Sequence, residues 1–201
     1  MIPATCKTLV LATGNPHKVR ELSELLSALG IQLTSLADWP ATTPVEENGT
    51  TPAENARKKA SGYARQLEQW VLADDTALCV DVLDGAPGVR SARYAGERAT
   101  MAENRAQLLA ELAHVPDSLR TARFVCHLAV ANPAGEIIVE ATGICPGRIR
   151  REATSESFGF GYDVLFEVAD LQRTLAELPP EITAVVGHRG RAVFALLEAG
   201  G

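Results

Sequence analysis

The stretch Lys7-Thr-Leu-Val-Leu-Ala-Thr-Gly-Asn-Pro-His-Lys18 limits the possible folds of this chain more than any other. Leu9, Val10, Leu11 and Ala12 form an apolar run suited to a buried strand that stops at Thr13-Gly14. Asn15 then suits a helix N-cap, and Pro16 the first helical position, where its missing N–H costs nothing. The helix that follows places Val19, Leu22, Leu26 and Leu29 on one face and is expected to stop at Gly30. A strand running through a glycine turn into a helix start is an α/β device. It gathers free N–H groups, the positive end of a helix dipole and the cation of Lys18 where an anion can sit. An ordinary strand-turn-helix corner with a surface lysine has the same sequence, so this stretch does not decide function. It is not a Walker A loop, because the long glycine spacing and the Lys-Ser/Thr pair are missing.

The next elements continue the α/β pattern. Ile31–Leu36 alternates as a second strand, and residues 37–49 form a Pro- and Thr-containing loop carrying Glu46-Glu47 before Asn48-Gly49. Thr51-Pro-Ala-Glu54 opens a second helix with a capping box. Its inward face, Ala53, Ala56, Ala60, Tyr63, Ala64 and Leu67, is mostly small and lets the helix lie close to a sheet. Asn55 and Lys59 fall one turn apart and share another side; a shared ligand and plain solvation both fit Lys59. Trp70–Ala73 reads as a third strand ending in Asp74-Asp75-Thr76. Adjacent carboxylates beside an apolar strand lose solvation unless a cation relieves them, which favours a functional role over a turn cap.

Ala77–Leu83 continues as strand-like sequence, Asp84-Gly-Ala-Pro-Gly88 is a turn, and Thr100-Met-Ala-Glu103 is a second capping box ahead of Leu108, Leu109 and Leu112. Arg123–Val130, the turn Asn132–Gly135 and Glu136–Gly143 predict a hairpin with His127 on its more polar face. Antiparallel strands after α/β units imply a mixed twisted sheet flanked by helices, the fold class expected here. Pro146-Gly147 and Arg148–Arg151 lead to Ser157-Phe-Gly-Phe-Gly-Tyr-Asp163, where glycines allow close backbone approach and rings offer stacking faces. Leu171–Leu178 predicts a short helix before Pro179-Pro180. Val186-Gly-His-Arg-Gly190 opens a last helix carrying Val193, Phe194, Leu196 and Leu197. His188-Arg189 at its start is unfavourable against the helix dipole unless an anionic or carbonyl group lies nearby or the pair is frayed.

With 201 residues the chain fits one domain, and a formal net charge of −6 argues against broad nucleic-acid binding. No apolar run approaches a membrane span, and the N-terminus has no basic-then-apolar signal pattern. Cys6, Cys79, Cys126 and Cys145 form no C-x-x-C pair; buried thiols in a reducing cytoplasm are the expectation.

The motifs carry more in order than singly. Thr13-Gly-Asn-x-x-Lys18, Glu46-Glu-x-Gly49, Glu54-Asn-Ala-x-x-Lys59, Ala73-Asp-Asp-Thr76, Gly85-Ala-Pro-Gly88, Phe160-Gly-Tyr-Asp163 and His188-Arg-Gly190 together resemble the ITP/XTP pyrophosphatase family, over residues 7 to about 197. The resemblance implies an elongated mixed α/β structure, one domain of two lobes around a central cleft, forming a homodimer. It implies Mg²⁺-dependent hydrolysis of non-standard purine nucleoside triphosphates (ITP, dITP, XTP) to the monophosphate and pyrophosphate.

By the same resemblance Thr13, Gly14, Asn15, Pro16, His17 and Lys18, with Lys59, hold the triphosphate. Asp75 is the general base and a Mg²⁺ ligand with Glu46, next to the easily confused Asp74 and Glu47. Thr76 touches substrate. Phe160, Gly161, Tyr162 and Asp163 contact the purine, while His188 and Arg189 read its 6-keto oxygen. Three positions depart from the family pattern. Thr183 stands where a lysine is usual, Gly187 where a serine is usual, and Ala77 where a glycine follows the Asp-Asp pair. The first two bear on base choice, so an altered base preference, or a nucleotide-binding protein with little turnover, are the alternatives.

Overall fold

The computed structural model describes residues 8–28, 30–155 and 158–200; Cys6, Leu29 and Ser157 lie outside them. In chain order the elements are β1 (Thr8–Leu11), α1 (Pro16–Ser27), β2 (Gln32–Ser35), α2 (Pro52–Leu67), β3 (Val71–Val80) and β4 (Pro87–Gly88). They continue with α3 (Met101–Glu111), β5 (Thr121–Ala131), β6 (Ile137–Ile149), β7 (Phe166–Val168), α4 (Pro180–Val186) and α5 (His188–Gly200). The strands form one mixed sheet in the order β2-β1-β3-β5-β6-β7, with β4 paired antiparallel to β3. β1 runs parallel to both β2 and β3, and β6 antiparallel to β7.

The chain divides into two compact units. The first takes Met1–Asp75, Cys126–Gly143 and Arg189–Gly201. Here β1 works by simple alternation. Leu9 and Leu11 pack with Leu22 and Leu26 of α1 and with Ala192, Val193 and Leu196 of α5. Val10 and Ala12 point the other way, onto Ala56, Ala60 and Ala64 of α2. Each buried leucine contributes roughly 1.5–3 kcal/mol, and the alanine stripe supplies close approach in place of bulk. The second unit takes Thr76–Val125 and Ile144–His188. Its core joins Leu78 and Val80 of β3 to Leu108 and Leu112 at α3, Phe124, Cys145 and Phe166. Arg120, 2% exposed, donates to the carbonyls of Leu112, Ile149 and Arg150, so a cation satisfies the C-terminal end of α3.

Several elements differ from the sequence expectation. Asp74-Asp75-Thr76 does not end a strand; β3 runs unbroken from Val71 to Val80. The strand crosses from one core to the other, with Val71–Ala73 buried in the first unit and Ala77 and Leu78 in the second, so two apolar runs flank a polar middle. β6 likewise continues past Gly143 to Ile149, because β7 pairs with Gly147, Arg148 and Ile149. Leu171–Leu178 holds only a 3₁₀ turn at Leu175–Glu177, closed by a capping box from Thr174. Pro180–Val186, not expected as a helix, is α4, with proline at its first turn. On α5, Val193 is buried but Phe194 is 46% exposed. None of Cys79, Cys126 and Cys145 is in a disulfide. Among the described residues no helix is long and apolar enough to cross a membrane.

Candidate active site

In the first unit the β1–α1 turn is built as its sequence requires. Asn15 caps α1 in an extended conformation, its side chain accepting from the backbone N–H of His17 at 2.9 Å and of Lys18 at 3.5 Å. The N–H of Asn15 in turn donates to Thr13 Oγ1 at 3.2 Å. Thr13 and Lys18 are half-buried, while Gly14 and His17 are exposed. Parallel pairing of Val10 with Val71 and Leu11 with Leu72 sets the middle of β3 beside this turn.

There the two aspartates separate by strand alternation. Asp74 is fully buried, and its Oδ2 lies 3.0 Å from Lys18 Nζ and 3.7 Å from Arg189 Nε. Arg189, 3% exposed, also donates to Glu21 Oε2 at 2.7 Å. Burial alone would push the Asp74 carboxyl up; the charges of Lys18, Arg189 and Lys59 outweigh it and hold the group below the usual carboxylate range. Asp75 faces α2 instead. Its Oδ1 lies 3.5 Å from Lys59 Nζ, and Asn55 Nδ2 donates to its Oδ2 at 3.3 Å. Burial raises the Asp75 pKa, with the charges of Asp74 and Glu47 adding to the rise against the pull of Lys59 and Lys18. Lys59 is 7% exposed; burial disfavours its charge, but Asp74, Asp75 and Glu47 keep its pKa raised. Lys59 is therefore not the solvated surface lysine that one reading of the sequence allowed.

Of the two loop glutamates, both exposed, Glu47 reaches this cluster, 2.9 Å from Lys59 Nζ. Gly49 fixes the loop. Its N–H donates to Asn55 Oδ1 at 2.8 Å, and a Cβ there would sit 2.7 Å from both that oxygen and Glu54 Cβ. Asn55 thus ties the acidic loop to Asp75 through one side chain. Among the described residues no group of three or more metal-ligating side chains gathers. Asp75 and Glu47, sharing Lys59, form a pair of carboxylates, and hard divalent cations such as Mg²⁺ need only one or two when phosphate oxygens and water supply the rest. The donor set fits Mg²⁺.

The second unit holds Thr76, Phe160–Asp163, Thr183 and His188. Thr76 is half-buried on β3, and Phe160 is half-buried. Tyr162 is 4% exposed, lies in the core and donates its hydroxyl to the Ser91 carbonyl, so its ring is used for packing. Asp163 accepts from the Phe160 N–H at 2.9 Å, closing a turn in which Gly161 has a φ of +65°. His188, buried, stacks on Phe124 with centroids 4.6 Å apart; it is not frayed. The two departures at Thr183 and Gly187 touch each other. The Gly187 N–H donates to the Thr183 carbonyl at 2.8 Å, and a Cβ on Gly187 would lie 2.5 Å from that oxygen.

A buried aspartate between a half-buried lysine and a buried arginine, beside a pair of carboxylates bridged by a buried lysine and next to a helix N-terminus, defines an anion-handling α/β protein. Residues 9–199 match the model of the Ham1 family, and the chain belongs to that family. It is 49% identical to a dITP/XTP pyrophosphatase of Desulforamulus reducens, covering 94% of both chains. It is 47% identical to a dITP/XTP pyrophosphatase of Geobacillus kaustophilus, covering 96% of this chain and 93% of the relative. Among solved structures, a HAM1 protein from Coxiella burnetii superposes with a TM-score of 0.83 at 39% identity, covering 93% of this chain and 94% of that one.

Sequence reasoning missed Glu21 as a partner of Arg189 and Glu47 as a partner of Lys59. Glu21 lies one turn beyond Lys18 on α1, but nothing in the chain marks it apart from the solvated glutamates around it. Asn55 was legible only as a neighbour of Lys59.

Proposed function

We propose that this chain hydrolyses non-standard purine nucleoside triphosphates (dITP, ITP, XTP) to the monophosphate and pyrophosphate, using Mg²⁺. The two units act as one catalytic domain, working as a cytoplasmic homodimer. The observation that carries the reading is the grouping of Lys18, Lys59, Asp75 and Glu47 around one turn, in a chain 47–49% identical to dITP/XTP pyrophosphatases.

The residue chemistry supports it. The N–H groups at the start of α1, with Lys18 and Lys59, receive triphosphate oxygens. Asp75, with Glu46 or its neighbour Glu47, would hold Mg²⁺, which would supply charge neutralisation for the leaving pyrophosphate. Asp75 takes the proton of the water attacking the α-phosphorus, a carboxylate being ionised and able to accept it at neutral pH. Asp74 is the counter-ion that keeps Lys18 and Arg189 in place. Phe160 contacts the purine, with Thr76 and Asp163 beside it. His188 and Arg189 offer donors to a 6-keto oxygen, which an adenine amino group cannot accept, and such mismatches discriminate strongly.

Pyrophosphate release from dITP, ITP, XTP, ATP and GTP by the purified chain with Mg²⁺ tests the reading. Release from the first three well above ATP is expected. No release from any of them overturns it, and equal rates on ATP and ITP overturn the base discrimination.

A further inference from the structure

In the second unit the turn that carries Phe160 is tied down on both sides. The Asp163 N–H donates to the Phe160 carbonyl at 3.1 Å, and Gly161 takes its φ of +65° at the second position, as a II′ turn requires. The Asp163 carboxylate accepts from the Phe160 N–H at 2.9 Å. Beyond the apex the chain enters the core. Tyr162 is buried with its hydroxyl on the Ser91 carbonyl at 3.0 Å, and the Asp163 carbonyl accepts from the Ala176 N–H at 3.3 Å. Ahead of the turn, the Phe158 N–H donates to the Ala176 carbonyl at 3.1 Å. Tyr162 is therefore spent on packing, whereas Phe160 is half-buried.

The apex rests on α3. Half-buried Arg105 donates from Nη1 to the Gly161 carbonyl at 2.8 Å, and a Cβ on Gly161 would lie 3.4 Å from Met101 Cε. Met101 and Arg105 are one helical turn apart, so a single face of α3 meets the turn. The helix is a firm support. A capping box from Thr100 and Glu103 sets its start, and buried Asn104 donates to the Ala92 carbonyl at 3.0 Å and accepts from the Ala95 N–H at 2.8 Å. The Gly161 carbonyl belongs to the middle peptide of the turn, which takes no part in the bond that closes a β-turn. A charged donor on that oxygen holds the peptide more strongly than a neutral one would. Fixing it fixes the turn against α3, and with it the ring that the turn presents.

We propose that Arg105 is a positioning residue for base binding: through the Gly161 carbonyl it sets the attitude of the Phe160 ring, on which a purine stacks. The inference rests on the reading of Phe160 as a purine contact and adds to it a residue of α3 that acts without touching substrate. Stacking of a base on an aromatic ring is worth roughly tenfold in affinity, and it depends on ring offset and tilt, so a ring that is present but loosely held loses part of it.

Calorimetric binding of 2′-deoxyinosine 5′-monophosphate and of inorganic pyrophosphate to the full chain with Mg²⁺ tests this without turnover. Arg105→Ala should weaken the monophosphate about fivefold and leave pyrophosphate, which has no base, within about twofold. Arg105→Lys keeps a charged donor and should recover about half of that loss. In a Phe160→Leu background Arg105→Ala should add less than about twofold, because the contact it acts through is gone. Where Arg105→Ala disturbs folding, Arg105→Met, which keeps the apolar stem, takes its place. Unchanged monophosphate affinity overturns the inference, and so does an equal loss for pyrophosphate, an absence of recovery with lysine, or losses that multiply with Phe160→Leu. A parent chain that does not bind the monophosphate at millimolar concentration overturns it as well. A parent that binds the monophosphate but releases no pyrophosphate from dITP overturns the pyrophosphatase reading alone.

Discussion

Lys18 Nζ, one turn into α1, lies 3.0 Å from Oδ2 of Asp74, a side chain with no exposed surface in the middle of β3. The same oxygen lies 3.7 Å from Arg189 Nε, so one buried carboxylate is counter-ion to cations from opposite ends of the sequence. Removing one member of a buried charge network costs more than its net worth, because the partners stay buried. Asp74→Asn should therefore lower stability by about 3–5 kcal/mol, read from denaturant midpoints. It should also raise the KM for dITP, because Lys18 loses its anchor.

Acid should act on the two aspartates in opposite senses in the chain without divalent cation. The Asp74 carboxyl is lowered in the fold, so the stability it supplies is complete above its ordinary value and is lost as pH falls through its folded value. The Asp75 carboxyl is raised, so its ionised form opposes folding at neutral pH, and this penalty is relieved as pH falls through its raised value. Asp75→Asn should thus be more stable than the parent at neutral pH, with the gap closing on acidification. Thermal unfolding across pH 4 to 8, a window of about four units around and above the carboxylate range, checks this.

The same Asp75→Asn variant should lose roughly 10²–10⁴-fold in turnover, the usual weight of a general base, or more if cation binding is also lost. A folded variant with parental turnover assigns the base elsewhere.

Glu46 and Glu47 differ by one position but not by one role. Both side chains are exposed, but Glu47 reaches Lys59 at 2.9 Å. Glu47→Gln should raise the Mg²⁺ concentration for half-maximal rate by about tenfold, since charge count tunes such sites, and Glu46→Gln should leave it within about twofold. Initial rates over a Mg²⁺ series separate them.

Gly187→Ser restores a residue usual in the family but brings a Cβ to 2.5 Å from the Thr183 carbonyl. Overpacking of this kind costs about 1–3 kcal/mol, so the single variant should melt below the parent. Thr183→Lys, at a half-buried position on α4, should fold normally, and its dITP-to-ATP rate ratio shows whether position 183 sets base choice.

Much of this protein is written locally. Asn15-Pro16 and Thr100–Glu103 fix helix starts by hydrogen bonds within four residues, and both form as the sequence indicates. The alternation of Leu9, Val10, Leu11 and Ala12 assigns each side chain to a face before any partner is known. Strand ends are different. Whether β3 stops at Asp74 or continues to Val80 depends on a second core forming beyond it, and that core is made of residues from Leu78 to Leu178.

The candidate site divides along the same line. The sequence by itself determined which residue types were present and in what order, and that order pointed to the family and to triphosphate chemistry. Only the tertiary structure decided that Asp74 serves cations while Asp75 faces α2, that Glu47 and not Glu46 meets Lys59, and that Glu21 holds Arg189. The physical reason is range. Caps and strand faces are set by neighbours a few residues away, whereas the charge state and company of a buried ion depend on which distant groups the fold brings within about 4 Å of it.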